Sequence, residues 1–303
     1  MKISVCIPAY NRPATIRKAI HSVLAQTERD WELVITDDSA TSAVEQVVAS
    51  FYDQRIHYTR NSHRLGLEGN WNTCLTRARG ECIKLLMDDD FLHPNCLQEQ
   101  VAMLQANPKV ALVSANYDVV NDQGQPITVP GLGSNPYRLF KKNTIEPGHV
   151  FIQRYLCGQH RVGLPSSMLM RSSSLHLAGL VDPEAGVSAD ADLWLRLCLQ
   201  GDFAYYDAKL LAMRWHQTNL SKTLESGPGG YKSILRLYER WLQRNDAWLK
   251  RYRSGIALQA AIRIVPYFRQ AKSKDKVKIL KDIQSLPLSP TGKLRVHWWL
   301  NRP

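Results

Sequence analysis

Apolar positions along the first third of the chain switch repeatedly between two spacings. Residues 3–9 are a largely apolar run of strand length, and Pro13 then opens a helix in which Ile16, Ile20, Val23 and Leu24 recur at i, i+4, i+7 and i+8. A strand over 32–36 ends in Asp37-Asp38-Ser39, and Val44, Val47, Val48 and Phe51 mark the next helix. A short strand over 56–60 and a polar loop with Gly66 and Gly69 lead to a helix through Trp71 and Leu75. Gly80 then precedes an apolar run, 82–87, that stops at Asp88-Asp89-Asp90; a helix over roughly 95–106 and a strand over 110–115 follow. Strands alternating with helices predict an α/β fold with a mostly parallel sheet and right-handed crossovers. In such sheets ligands bind beyond the carboxyl ends of the strands. Ala9-Tyr10-Asn11, Asp37-Asp38 and Asp88-Asp89-Asp90 all lie at such ends, so they are expected to meet in one cleft.

The pattern then loosens. Residues 116–160 are rich in Pro, Gly and Asn and are expected to form loops over the cleft. A strand over 166–170 with a short helix, a helix over 193–199 opened by Asp190-Ala191-Asp192, and strands over 203–206 and 210–215 complete the body. From about 230 the chain reads as helical and basic. Three regions follow: 1–115 and 116–222 as two halves of one domain, and 223–303 as a helical extension.

Charge sharpens that division. The net charge is +12, but residues 230–303 hold 17 Lys+Arg against 4 Asp+Glu, so the preceding 229 residues stand at −1. With 44% hydrophobic residues the chain has the composition of a globular protein. No apolar run reaches the roughly 18 residues of a spanning helix, and the apolar start is too short for a signal peptide, so the expected location is cytoplasmic. Six scattered cysteines, four within apolar segments, read as reduced buried thiols.

The acidic triplet carries the chemistry. Crowded carboxylates raise one another's pKa unless a cation compensates, and hard divalent cations prefer carboxylate oxygen. A solvated acidic turn is the plainer alternative. Six segments in order tip the balance: Val5-Cys6-Ile7-Pro8-Ala9-Tyr10-Asn11-Arg12; Asp37-Asp38-Ser39; Gly66-Leu67-Glu68-Gly69-Asn70-Trp71-Asn72 with Ala78-Arg79-Gly80-Glu81; Asp88-Asp89-Asp90 before Pro94; Asp190-Ala191-Asp192-Leu193-Trp194-Leu195-Arg196; and Arg214-Trp215-His216. Together, over roughly residues 3–222, they resemble the family 2 glycosyltransferases of GT-A fold.

The resemblance implies an enzyme that moves a sugar from a nucleoside-diphosphate donor to a hydroxyl acceptor with inversion. It places Asp38 on the base, where a carboxylate accepts from uracil N3–H, which fits uridine or thymidine and disfavours guanosine. Tyr10 would stack on the base, with Pro8 and Ala9 offering backbone groups, and Arg64 and Asn70 would border the nucleotide. Counting back from Pro94 puts Asp89 on a Mg²⁺ or Mn²⁺ ion and Asp88 near the ribose. Asp90 and His216 join the metal site, and Met87 stands where many members carry a first Asp. Asp190 is the implied general base, with Ala189 in place of a frequent Glu. Each acid has a structural alternative: Asp37 or Asp38 as a helix cap, Asp190 as a helix-start carboxylate, and Asp192 as a cap or a partner of Arg196 at i+4.

In the extension, Lys232, Arg236, Arg240 and Arg244 recur every four residues, and Val296-His297-Trp298-Trp299-Leu300 lies near the end. Basic residues with aromatic anchors suit an anionic membrane surface at the inner face of the cell membrane, where a lipid-linked acceptor would lie. The alternative is that the apolar face packs on the body. Competing functions are a nucleic-acid binder, which an acid-lined cleft disfavours, a catalytically inactive nucleotide-sugar binder, and a nucleotidyltransferase, which would show a glycine-rich phosphate loop absent from Pro8-Ala9-Tyr10-Asn11-Arg12.

Overall fold

The structure, a computed structural model, describes residues 1–129, 142–159, 163–216 and 230–300. Among these, nine strands form one sheet in the order β3-β2-β1-β4-β8-β6-β9-β5, with β7 also paired to β9. They are β1 (Ile3–Ala9), β2 (Trp31–Asp37), β3 (Ile56–Arg60), β4 (Cys82–Leu85), β5 (Phe91–Leu92), β6 (Val110–Val120), β7 (Thr144–Glu146), β8 (Leu169–Arg171) and β9 (Asp202–Arg214). The ladders set β1, β2, β3, β4, β6 and β9 in one direction, and β5, β7 and β8 against them. The mostly parallel expectation therefore holds. The opposed β8 fills the gap that the crossover from β4 to β6 leaves, with Leu169 between Lys84 and Val113.

Alternation within the strands splits the core between the two faces. Ile3, Val5 and Ile7 pack with Ile16, Ile20 and Val23 of α1 (Pro13–Leu24), Val44 and Val48 of α2 (Ala43–Val48), and Val101 and Leu104 of α4 (Cys96–Ala106). Cys6 and Ile83 face the other way, towards Trp71 and Leu75 of α3 (Gly66–Arg77), α5 (Gly148–Leu156) and α7 (Ala189–Cys198). A short helix α6 (Ser172–Ala178) follows β8. All six cysteines are free, and five are buried.

Several elements differ from the sequence pattern. α3 starts at Gly66, not after Gly69, because the Asp38 carboxylate accepts the Leu65 and Gly66 N–H groups at its start (2.8 and 2.9 Å). The two expected late strands are one, β9, whose middle turns outward at Ala208 and Lys209; its first half pairs with β7 and its second with β5. The supposed loop region holds the rest of β6, β7 and α5, where Phe151, Ile152, Tyr155 and Leu156 are buried on one face. Residues 130–141 and 160–162 of that region, and the expected domain boundary at 222/223, lie outside the described residues.

The extension forms α8 (Gly230–Gln243), α9 (Ala247–Lys250), α10 (Arg253–Gln270), α11 (Ser273–Ser285) and α12 (Pro290–Leu300). It shares one hydrophobic cluster with the body: Ile234, Leu237, Tyr238 and Trp241 pack in the same core as Leu193, Trp194 and Leu197 of α7. Packing on the body is thus the observed arrangement for α8. Two of its cations also turn to carboxylates of the body. Arg236 pairs with Glu184 and Arg240 with Asp192 (2.8 and 2.7 Å), and Arg244 pairs with Asp246 (2.6 Å). The apolar face of α8 is therefore covered by the body.

Candidate active site

Six strands sharing a direction bring their carboxyl ends to one edge, and the polar clusters meet there. The Asp38 N–H donates to the Ala9 carbonyl (3.0 Å), and the Tyr10 N–H donates to Asp88 Oδ2 (2.9 Å). Asn11 sits in the left-handed region (φ 54°), which Asn tolerates through local hydrogen bonding, and turns the chain so that Arg12 doubles back. Arg12 Nη1 then reaches both Asp88 Oδ1 (2.8 Å) and Asp89 Oδ2 (3.2 Å). His216, just past β9, places Nε2 3.0 Å from the same Asp89 oxygen.

The three acids of the triplet have separate surroundings. Asp88 faces β1 through Tyr10 and Arg12. Asp89 faces Arg12 and His216. Asp90 turns inward: Ser166 Oγ donates to Oδ2 (2.6 Å) and the Arg214 N–H to Oδ1 (3.0 Å). Burial, and after it the charge of Asp89, raises the pKa of both Asp88 and Asp90, with Arg12 opposing the rise at Asp88. Arg214 is itself buried and donates from Nε to the Asp89 carbonyl (3.1 Å), locking the turn between β4 and β5.

These residues fit a small divalent cation. Two carboxylate oxygens already meet at one cationic nitrogen, and the His216 imidazole borders one of them. Among the described residues, no group of three or more His, Cys, Asp or Glu side chains is arranged to hold an ion alone. Mg²⁺ commonly needs only one or two carboxylates when substrate phosphates complete its shell. Asp89 and His216 lie side by side at this point, whereas the Asp90 oxygens accept from Ser166 and Arg214.

The nucleotide-side residues also come together. Asp37 is fully buried, accepting from Tyr58 Oη (2.7 Å) and the Ser39 N–H (2.9 Å). Asp38 accepts from Asn61 Nδ2 (3.1 Å) as well as from Leu65 and Gly66. Asn70 is buried and ties Asn61 to the Ala9 carbonyl (both 3.1 Å), so its contacts brace the site wall. The Arg64 guanidinium lies 4.8 Å from the Tyr10 ring centroid, a cation–π contact at the rim. Pro8 is buried at the end of β1.

Asp190 occupies the first turn of α7, half-buried, with Oδ1 accepting the Ala191 N–H (2.6 Å). Asp192 pairs with Arg196 one turn on (2.8 Å). Arg12 and Arg214 appear in the sequence motifs without a role there. They stand 76 and 124 residues from the acids they bind, and only the tertiary fold shows that they meet.

The family model for "Glycosyl transferase family 2" matches residues 4–175. An uncharacterized protein of Mycobacterium tuberculosis is 30% identical over 214 residues, 70% of this chain and 66% of its own length. The Escherichia coli UDP-Glc:alpha-D-GlcNAc-diphosphoundecaprenol beta-1,3-glucosyltransferase WfgD is 35% identical over 120 residues, 40% of this chain and 47% of its own. The chain thus spans between about half and two thirds of these curated relatives. The Staphylococcus aureus TarS 1–349 crystal structure in complex with UDP-GlcNAc shares the fold at a TM-score of 0.70 and 16% identity, covering 99% of this chain and 84% of that one. On its sequence match, its GT-A architecture and the residues gathered at its sheet edge, this chain belongs to glycosyl transferase family 2.

Proposed function

We propose that this protein is an inverting glycosyltransferase that moves a sugar from a nucleoside-diphosphate donor, most suitably UDP-linked, to a hydroxyl of a lipid-linked or surface glycan. The observation carrying this reading is the meeting of Asp88, Asp89, Arg12 and His216 where β1, β4 and β9 end. WfgD, whose name gives a UDP-sugar donor and a diphosphoundecaprenol-linked acceptor, and TarS, solved with UDP-GlcNAc, support the donor and acceptor classes.

Asp38 reads the base. Three protein N–H groups occupy part of its carboxylate, and an ionised carboxylate has about four acceptor positions, which leaves one for N3–H. Tyr10 takes the base on its ring, and Arg64, already against that ring, is placed for phosphate. Asp88 faces the ribose, and Asp89 with His216 holds Mg²⁺ or Mn²⁺. A divalent cation bound there supplies a Lewis acid that stabilises the departing diphosphate. Asp190 accepts the proton of the acceptor hydroxyl while that oxygen bonds to the anomeric carbon. The bond from that carbon to the diphosphate oxygen breaks on the opposite side, which inverts the centre.

A donor screen that measures nucleoside-diphosphate release tests this. UDP-sugars are expected to release UDP with Mn²⁺ or Mg²⁺ and to lose that release on chelation. Release from GDP-sugars alone would overturn the uridine assignment.

Peripheral contact with an anionic membrane is a second reading, now confined to the outermost helices. Leu294 (70% exposed) and Trp298 (55%) lie one turn apart on α12, opposite the buried Gly292 and Val296, with Lys293 and Arg295 exposed beside them. On α11, Val277 is 58% exposed among Lys274, Lys278 and Lys281. No helix of the described residues is long and apolar enough to cross a membrane. Apolar tips within a basic collar are the features of an interfacial surface. The protein is expected to float with anionic liposomes at low salt, and Leu294→Ser with Trp298→Ser to stay behind. A native chain that remained in solution would sink this reading.

A further inference from the structure

The segment that delivers Asp190 has little regular structure of its own. Between Val181 and the start of α7 it consists of turns and one 3₁₀ turn, Gly186–Ser188. Asn72 of α3 fixes its start, donating to the Val181 carbonyl (2.8 Å) and accepting the Val181 N–H (2.9 Å), and α8 holds the rest. Arg240 donates from Nη1 to Asp192 Oδ1 (2.7 Å) and from Nη2 to Asp182 Oδ2. Arg236 Nη1 donates to the Glu184 carbonyl (2.9 Å) and pairs with its carboxylate (2.8 Å). Burial opposes charge on Asp182, yet the Glu184 N–H and Arg240 outweigh it and hold its carboxyl below the ordinary range. Gly186 adopts φ +53°, and a Cβ there would come 2.4 Å from Ser233 Oγ, so the turn packs tightly on α8.

The two partners of Asp192 divide their work. Asp192 is 2% exposed, and Arg196, on its own helix, takes the second oxygen (2.8 Å). That pair secures α7 internally. Among the described residues Arg240 joins Asp192 to Asp182, spanning the turn on both sides of Asp190, and it stands on a helix whose apolar face is set in the shared core. Arginine suits this bridge because its planar guanidinium reaches two carboxylates at once, which a lysine ammonium does less well.

We propose that Arg240 is a positioning residue for catalysis, bridging Asp182 and Asp192 so that the intervening segment presents Asp190 in one orientation. This rests on the reading of Asp190 as general base. A loop displaced by about 1 Å can cost on the order of 10²-fold in rate without touching the chemistry. The C-terminal helices are then part of the catalytic apparatus, although the family match ends at residue 175.

The test uses the full chain and four variants: Arg240→Ala, Arg240→Lys, Asp190→Asn and the double Arg240→Ala/Asp190→Asn. Arg240→Ala is expected to lower kcat roughly 10–100-fold, with donor KM and calorimetric UDP affinity changed less than about twofold. Arg240→Lys recovers part of the loss. Groups that act as a unit are non-additive, so Arg240→Ala costs less than about twofold further in the Asp190→Asn background. An unchanged kcat in Arg240→Ala, or its full cost repeated on Asp190→Asn, overturns the proposal while leaving the base assignment standing. Near-normal turnover in Asp190→Asn overturns the base assignment and this proposal with it. If Arg240→Ala fails to fold, Asp182→Asn removes one end of the bridge and is read by the same criteria.

Discussion

Asp190→Asn is expected to lose roughly 10²–10⁴-fold in sugar transfer, the usual contribution of a general base, while binding UDP as the native protein does. The substitution is nearly isosteric. Its amide oxygen can still accept the Ala191 N–H that Asp190 Oδ1 accepts at 2.6 Å, so the first turn of α7 keeps its local bond. The neighbouring Asp192, joined to Arg196 and Arg240, remains as a structural carboxylate and is only 2% exposed. What disappears is the capacity to take a proton. Steady-state transfer to an acceptor, with UDP calorimetry alongside, separates the two functions. Parallel loss of both would mean that Asp190 acts on the fold, and retention of both would mean that it has no role in proton transfer.

Asp89→Ala acts on the opposite partner of the reaction. Asp89 Oδ2 is the point where Arg12 (3.2 Å) and His216 (3.0 Å) meet, and its removal leaves His216 without its carboxylate neighbour. Asp90 is turned to the inner side of the turn, where Ser166 and Arg214 donate to its oxygens. Asp88 keeps the Tyr10 N–H and Arg12, so the ribose side of the site persists. Native UDP binding is expected to be at least about tenfold tighter with Mn²⁺ than with chelator, a difference of about 1.4 kcal/mol. In Asp89→Ala that ratio should fall to about one. A ratio that survived the substitution would place the ion elsewhere.

Local periodicity made the sheet legible. β1, β3 and the helices α1 and α4 stand where apolar spacing puts them, because each carries a face that must be buried. It failed where a glycine or a polar break disguised a continuous element. Gly66 and Gly69 read as loop, yet the Asp38 carboxylate supplies what the start of α3 needs from a distant strand end. Asp207-Ala208-Lys209 separates the two expected strands, yet β6 pairing carries β9 across it. For the site, the acidic triplet and His216 were legible as a set, while the roles of Arg12 and Arg214 depended on contacts 76 and 124 residues apart. The basic stripe of α8 left membrane contact and packing on the body both open, because the sequence does not show that counter-charges for Arg236 and Arg240 lie within the same chain.

The sharing of one core between α7 and α8 also has a temporal side. Arg240 follows Asp192 by 48 residues, and the last strand of the sheet ends at Arg214. Arg240 lies 26 residues beyond that strand end, and at roughly 5–20 residues per second those residues take about 1–5 s to synthesise. During that interval a nascent chain has every strand and the acidic triplet but no helix on which to seat the Asp190 segment. Such a chain would complete its nucleotide-side residues before the Asp190 segment is seated, so the two halves of the site would mature in order.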